Sequence, residues 1–408
     1  MYAGNGSLDF GNHVLDLKVN DEKGIEIYGF IAQDNASSFS LGTEKNHDVK
    51  LSISSEGLKE LYGAYLSKGP QMNVKANNFV LDLTTNNGVA IGLHAQNNTA
   101  VKDVATLAAL PTTIDIDANS ISMTLKQKDG RIYNNIAIVA ISNGIVRLKG
   151  NTTIVSEDLI HTRGYATVEI NKDGGFTSKL QGDIVFENSA SNASGTGIDA
   201  NVNICLDGEE SFYTGRIIGM QAIAPDAQGD PSAIVTGMKM QVKNGATAHL
   251  VKTSFLNNLF VDDKGKVIFD GSKLLIGQQV GNRVGSISSR DEMAKTMKIE
   301  ATSDGTGTFE LKNDSVLTFA GTDSQTAEIE VLTANGSKIY AGEGAKNPVI
   351  KIVGTNADYP SSLTNTNVTG VNIVVNGEAT LNIDGGTFTN TGFSGKNGKK
   401  RLSKRLSA

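Results

Sequence analysis

The chain contains no tryptophan, one cysteine, six prolines and five histidines among 408 residues. A single cysteine, Cys205, cannot close an internal disulfide and supplies no Cys/His spacing for a structural metal site. Aromatic residues are 6% of the total and proline is scarce, which argues against a tandem of β-sandwiches with aromatic cores and proline-marked edges. No apolar run approaches the ~18 residues needed to cross a bilayer as a helix. Met1–Phe10 (MYAGNGSLDF) has neither a basic n-region nor an apolar h-region, so a signal peptide is not expected there. The G-G-x-G-x-D repeat of calcium-binding β-rolls is also missing, and no metal or other cofactor is expected.

Charge narrows the partners. The formal net charge is −6, from 37 basic and 43 acidic residues. Lys396, Lys399, Lys400, Arg401, Lys404 and Arg405 all fall in the last stretch, and without these six the balance is 31 against 43, or −12. A body that acidic repels phosphates, so no nucleic-acid groove is expected. The tail itself has too little apolar surface to pack and reads as disordered.

What the chain does have is alternation. Runs such as VLDLKV (14–19), FVLDLTT (79–85), TIDIDA (113–118), GIVRLKG (144–150), ATVEI (166–170), PVIKIVG (348–354) and VNIVVNG (371–377) recur along its length. In TIDIDA, Ile114 and Ile116 share one face while Asp115 and Asp117 share the other, the mark of a strand buried on one side. Asn, Gly and Asp clusters such as TNNG, NKDGG and NIDGG separate the runs, and these residues suit tight turns. A hydrophobic content of 39% is enough for a continuous core. The predicted fold is all-β, a right-handed parallel β-helix (solenoid) with a few short helical insertions. At roughly 20–25 residues per coil the chain would hold about 16–20 coils. Residues 1–280 and 281–392 read as successive solenoid regions, and 393–408 as the disordered basic tail.

Three segments interrupt the two-residue rhythm. In EGLKELYGAYL, Leu58, Leu61, Tyr62, Tyr65 and Leu66 follow helical spacing, as do Val101, Val104, Leu107 and Ala108 before Pro111. Met293 and Met297 align in a third, SRDEMAKTMK. Each reads as a short amphipathic helix packed on the side of the solenoid.

At residues 201–219, NVNICLDGEESFYTGRIIG, the chain resembles a recurrent segment of bacterial autotransporter passenger domains, the pectin-lyase-like β-helices. Ser211, Phe212, Tyr213, Thr214 and Gly215 occupy an S-x-W-T-G-like element, with Tyr213 in place of tryptophan. Residues 242–271 are similar to the passenger-end pattern in which N-G-A-x-W precedes S-x-L-N-N-L. Asn244, Gly245, Ala246 and Thr247 match it, as do Ser254, Leu256, Asn257, Asn258 and Leu259, while His249 lies near the position of the missing tryptophan. The resemblance implies a β-helical passenger carried outside by its own C-terminal β-barrel and displayed on, or released from, the bacterial outer membrane. Without that barrel or a signal peptide, the sequence is expected to be part of a longer product. The implied role is adhesin-like, with extracellular glycan or protein ligands on host or neighbouring cells.

Catalytic patterns are weak, and the chain is not expected to be an enzyme. Gly229–Pro231 and the GTG strings at 195–197 and 305–307 lack the serine of a G-D-S-G or G-x-S-x-G nucleophile. His13, His47, His94, His161 and His249 make no H-E-x-x-H pairing, and His94 in VAIGLHA falls on an outward, solvated parity. The alternative to adhesion is a polysaccharide lyase or hydrolase. Asp115 and Asp117, two apart on one strand and so about 7 Å apart, fit the carboxylate separation of inverting glycosidases. A third alternative is a structural spacer of a surface protein. Asparagines at the corners are expected to stack as side-chain ladders.

Overall fold

The computed structural model describes residues 2–3, 6–21, 26–55, 60–86, 88–97, 111–129, 135–163, 166–187, 200–219, 233–234, 237–251, 254–256, 258–261, 264–270, 273–276, 279–282, 298–301, 308–311, 316–321, 330–333, 338–341, 349–354, 361–364, 367–377, 380–384, 387–396 and 399–402. They are all-β, and almost all strand pairs are parallel. No helix occurs among the described residues. The chain divides into two units, residues 1–185 with 199–205, and residues 186–198 with 206–408.

The first unit is built on in-register apolar rows. Phe39, Met72, Ile114, Val146, Val168 and Val202 stand opposite one another on successive strands. Leu41, Val74, Ile116, Leu148, Ile170 and Ile204 form a second row. Every one of these side chains is at most 2% exposed. Burying a residue of this size is worth roughly 1.5–3 kcal/mol, so each strand is held mainly by its two neighbours. Positions 39, 72, 114, 146, 168 and 202 are spaced by 33, 42, 32, 22 and 34 residues. Only the step from Val146 to Val168 falls within the 20–25 residues expected from the sequence, because connections between the other strands are longer.

Long strands bend round this core. Gly144–Arg163 runs beside Thr112–Asp117, then beside Ser120–Thr124, and finally beside Ile136–Ile141. Gly150 sits at its first bend with φ 149°, and a Cβ there would lie 1.9 Å from the carbonyl oxygen of Ala118. Only glycine fits that approach. Asn119 donates to Asn77 Oδ1 at 3.1 Å on the neighbouring strand, a corner contact of the expected stacked kind.

The predicted helix at 56–66 is corrected where it is described. Glu60–Ser67 is a strand that pairs with Glu26–Ala32 on one side and Ala90–Gln96 on the other. Tyr62 and Tyr65 lie on one face, with ring centroids 5.2 Å apart, although they are three residues apart. Gly63 interrupts the two-residue alternation between them, and the resulting spacing imitates a helix. Gly29, Gly63 and Gly92 repeat this interruption on adjacent strands and face Leu51, Leu81 and Met123 of a further core row. The two other predicted helices, at 99–111 and 289–298, fall almost wholly outside the described residues.

His94 is corrected as well. Its outward parity holds, but its side chain is only 8% exposed, because the outer face here is apolar and aromatic. Tyr28 and Tyr62 stack at 4.9 Å with 12° between ring planes, and each hydroxyl donates to the glutamate two residues before it, Glu26 at 2.7 Å and Glu60 at 2.6 Å. The His94 ring packs 4.8 Å from Tyr65 and 5.8 Å from Tyr62. Burial, reinforced by Arg163 and His161, pushes its pKa down to about 4 against a stabilising contact from Gln96. Burial and the bonded glutamates raise both tyrosine hydroxyls.

In the second unit, Phe212–Gly215 pairs with Thr247–Leu250, which brings the two passenger-like segments side by side. Tyr213 is fully buried opposite Ala248, and its hydroxyl donates to the Arg216 carbonyl at 3.0 Å. Asn244 and Gly245 turn with φ 55° and 81°, and Asn244 and Lys243 both engage Asp207. An antiparallel exception joins Ala233–Ile234, Gln279–Asn282 and Lys298–Ala301. Within the basic tail, read from sequence as disordered, Phe393–Lys396 and Lys399–Leu402 pair as strands with Ile373–Val375 and Thr380–Ile383.

Candidate functional site

One outward row of the first unit is polar from end to end. Asp9, Ser40, Asn73, Asp115, Arg147, Glu169 and Asn203 occupy one register line across seven strands, directly between the two buried apolar rows. Alternation along each strand produces this arrangement, with Ile114 and Ile116 inward and Asp115 outward.

At Asp115–Arg147–Glu169 the row becomes an ion chain. Arg147 Nη1 donates to Asp115 Oδ1 at 3.0 Å, and its Nε lies 3.2 Å from Glu169 Oε2. Lys172 Nζ donates to the other Glu169 oxygen at 2.9 Å. Glu169 is the most sheltered member, its side chain 13% exposed against 43% for Arg147. Beside the chain, Lys45 pairs with Asp117 at 2.5 Å and reaches over the Phe176 ring, 5.9 Å from its centroid. Isolated surface pairs of this kind are worth at most about 1 kcal/mol each, so their role here is to fix positions.

These side chains surround a cleft of about 280 Å³. Asp115, Asp117, Arg147, Lys149, Glu169 and Phe176 line it, and its wall is mostly carbon. One side is the turn from Asn171 to Phe176, where Asn171, Gly174 and Gly175 have φ of 48°, 80° and 82°. Asn171 anchors that turn from beneath. Its Oδ1 accepts from the Gly150 amide at 2.9 Å, and its Nδ2 donates to the Gly150 carbonyl at 2.8 Å and to Ser178 Oγ at 2.9 Å.

Both sequence candidates, Asp115 and Asp117, therefore stand on the same cleft. Each carboxylate is matched to a cation, however, whereas a general acid that protonates a leaving group is typically set in an apolar pocket. Sequence reasoning did not find Arg147, Glu169, Lys172, Phe176 and Lys45, which come from separate segments. The available signal was register: aligning TIDIDA, GIVRLKG and ATVEI by their inward residues places Asp115, Arg147 and Glu169 side by side.

Among the described residues, no group of three or more His, Cys, Asp or Glu side chains is placed to hold a metal ion, and no helix is long and apolar enough to cross a membrane. Comparison with protein-family models, with curated proteins and with solved structures finds no match.

Proposed function

We propose that the chain is a right-handed parallel β-solenoid of the autotransporter-passenger type, displayed outside a bacterial cell, whose polar flank binds ligands on other cells. The observation that carries this reading is the outward row from Asp9 to Asn203. Seven polar side chains stand in register above continuous apolar rows, at the ~4.8 Å strand spacing. Such a row offers many weak contacts of similar geometry, and display in many copies converts weak contacts into avidity. The strand Gly144–Arg163, which follows both legs of Thr112–Gln127 and then Asn135–Ile141 while bending, supports a coiled path. The pairing of the two passenger-like segments supports the resemblance.

The test is adherence of beads coated with the 408-residue chain to cultured cells and to bacterial lawns. Binding above albumin-coated beads, blocked by the soluble chain and weakened when Asn73, Asp115, Arg147 and Glu169 are all changed to Ala, is the expected result. A coat that adheres to nothing, or beads indifferent to the four changes, rejects adhesion through this flank. Turnover of uronate polymers that disappears in Asp115→Asn would put the lyase or hydrolase reading in its place.

A further inference from the structure

We propose that the cleft over Asp115, Arg147 and Phe176 is a subsite for an uncharged saccharide, an inference that rests on the ligand-binding reading above and assigns it a chemistry. Charge supplies the first argument. Asp115, Asp117, Glu169 and Asp173 line the cleft against Arg147, Lys149 and Lys172, and Lys45, paired with Asp117 from outside the lining, brings the balance to four carboxylates and four cations. Six of these eight groups are already engaged with one another, through Asp115–Arg147–Glu169–Lys172 and Lys45–Asp117. Only Lys149 and Asp173, one of each sign, stand outside these pairs. An anionic ligand that used any further cation would therefore have to displace carboxylates from their partners, and a cationic one that used any further carboxylate would have to displace the basic groups. A neutral ligand with hydroxyls needs neither. It bridges existing pairs by donating to carboxylate oxygens and accepting from guanidinium and ammonium protons.

The wall supplies the second argument. Seven of the twelve lining residues are charged, yet the surface they expose is mostly carbon, and the volume lies just under that of usual small-ligand sites, room for about one sugar ring. Phe176, half-buried on the anchored turn, offers a ring whose electron-rich face attracts the C–H groups on the face of a sugar. Hydroxyls on the rim of a pyranose and C–H groups on its face match the polar edge and carbon floor of the cleft. The turn is held at its root by the buried Asn171, so the ring and ion chain are positioned before any ligand arrives.

The experiment is saturation-transfer NMR and calorimetry on the full chain, with cellotetraose, mannotetraose and galactotetraose as neutral probes and tetragalacturonate as the acidic one. Phe176→Leu keeps apolar bulk and removes the ring face, and Asp115→Asn removes one acceptor charge; circular dichroism checks that both fold. Binding of at least one neutral probe, weakened about tenfold or more by each change, is the result expected. No neutral binding, preference for tetragalacturonate, or affinity unchanged by Phe176→Leu overturns the assignment. Bead adherence separates the two levels. Adherence that persists without neutral-saccharide binding, or that is lost when target cells are treated with protease but not glycosidases, removes this subsite alone. Loss of both removes the adhesion reading too.

Discussion

His94 gives the fold a specific sensitivity to acid. Its pKa lies at about 4 in the folded chain, against about 6.5 for an unperturbed imidazole. The lowered value means that, between these limits, the unfolded chain takes up a proton that the folded one refuses. Stability is therefore complete above about pH 6.5 and falls as the pH drops toward 4. The gap corresponds to about 3 kcal/mol in full and about 2 kcal/mol by pH 5, at 1.36 kcal/mol per unit. The cause is local. The ring lies against Tyr65 and Tyr62, near Arg163 and His161, where an added positive charge is poorly solvated and repelled.

The perturbation is His94→Leu, which keeps the apolar packing and removes the titration. The lack of tryptophan makes the assay direct, because tyrosine emission reports unfolding, and Tyr28, Tyr62 and Tyr65, three of nine tyrosines, surround the site. Urea unfolding at pH 7 and pH 5 measures the loss for each protein. Groups remote from residue 94 contribute alike to both proteins and cancel in the comparison. The parent should lose about 2 kcal/mol more than His94→Leu over that interval. Equal losses would refute the reasoning, since they would mean that the buried imidazole contributes nothing to the pH dependence.

Two further outcomes follow from the packing. In Gly63→Ala the new Cβ would lie 2.6 Å from the Gly92 carbonyl oxygen and 2.7 Å from Leu81 Cδ1, so denaturant melts should show a loss of about 1–3 kcal/mol, and an unchanged midpoint would contradict the tight row. Asn171→Ala removes the side-chain bonds to Gly150 and Ser178 and strains a residue at φ 48°, so about 2–4 kcal/mol should be lost, with faster amide exchange at Gly150; exchange left at parent rates would show that the turn is held some other way.

The all-β class was legible because strands buried on one side, such as Thr112–Gln127, write their two faces into the sequence as alternation. Strands covered on both sides do not. Around Tyr62 the outer face is as apolar as the inner one, and Gly63 shifts the phase, so the alternation disappears and a helical spacing remains. The repeat itself was visible: Glu26-Ile27-Tyr28-Gly29 and Glu60-Leu61-Tyr62-Gly63 stand in register. Comparing the two segments, instead of scoring the second alone, identifies a strand. His94 failed for the same reason, because parity predicts which way a side chain points and not what covers it.

The cleft was half legible, and the missing half is a matter of sequence distance. Asp115 and Asp117 were found because they are two residues apart on one strand. Arg147 and Glu169, which decide what those carboxylates do, are 32 and 54 positions from Asp115 and reach it only through register. In a stacked parallel sheet, chemistry is written across strands, and the inward apolar residues are the key to aligning it. Once Ile114, Val146 and Val168 are placed in one row, Asp115, Arg147 and Glu169 must share the next. That alignment turns two acids, suggestive of hydrolysis when read alone, into members of charge-matched pairs. Carboxylates held in this way keep lone pairs free to accept from hydroxyls, which is the part the proposed saccharide subsite gives them.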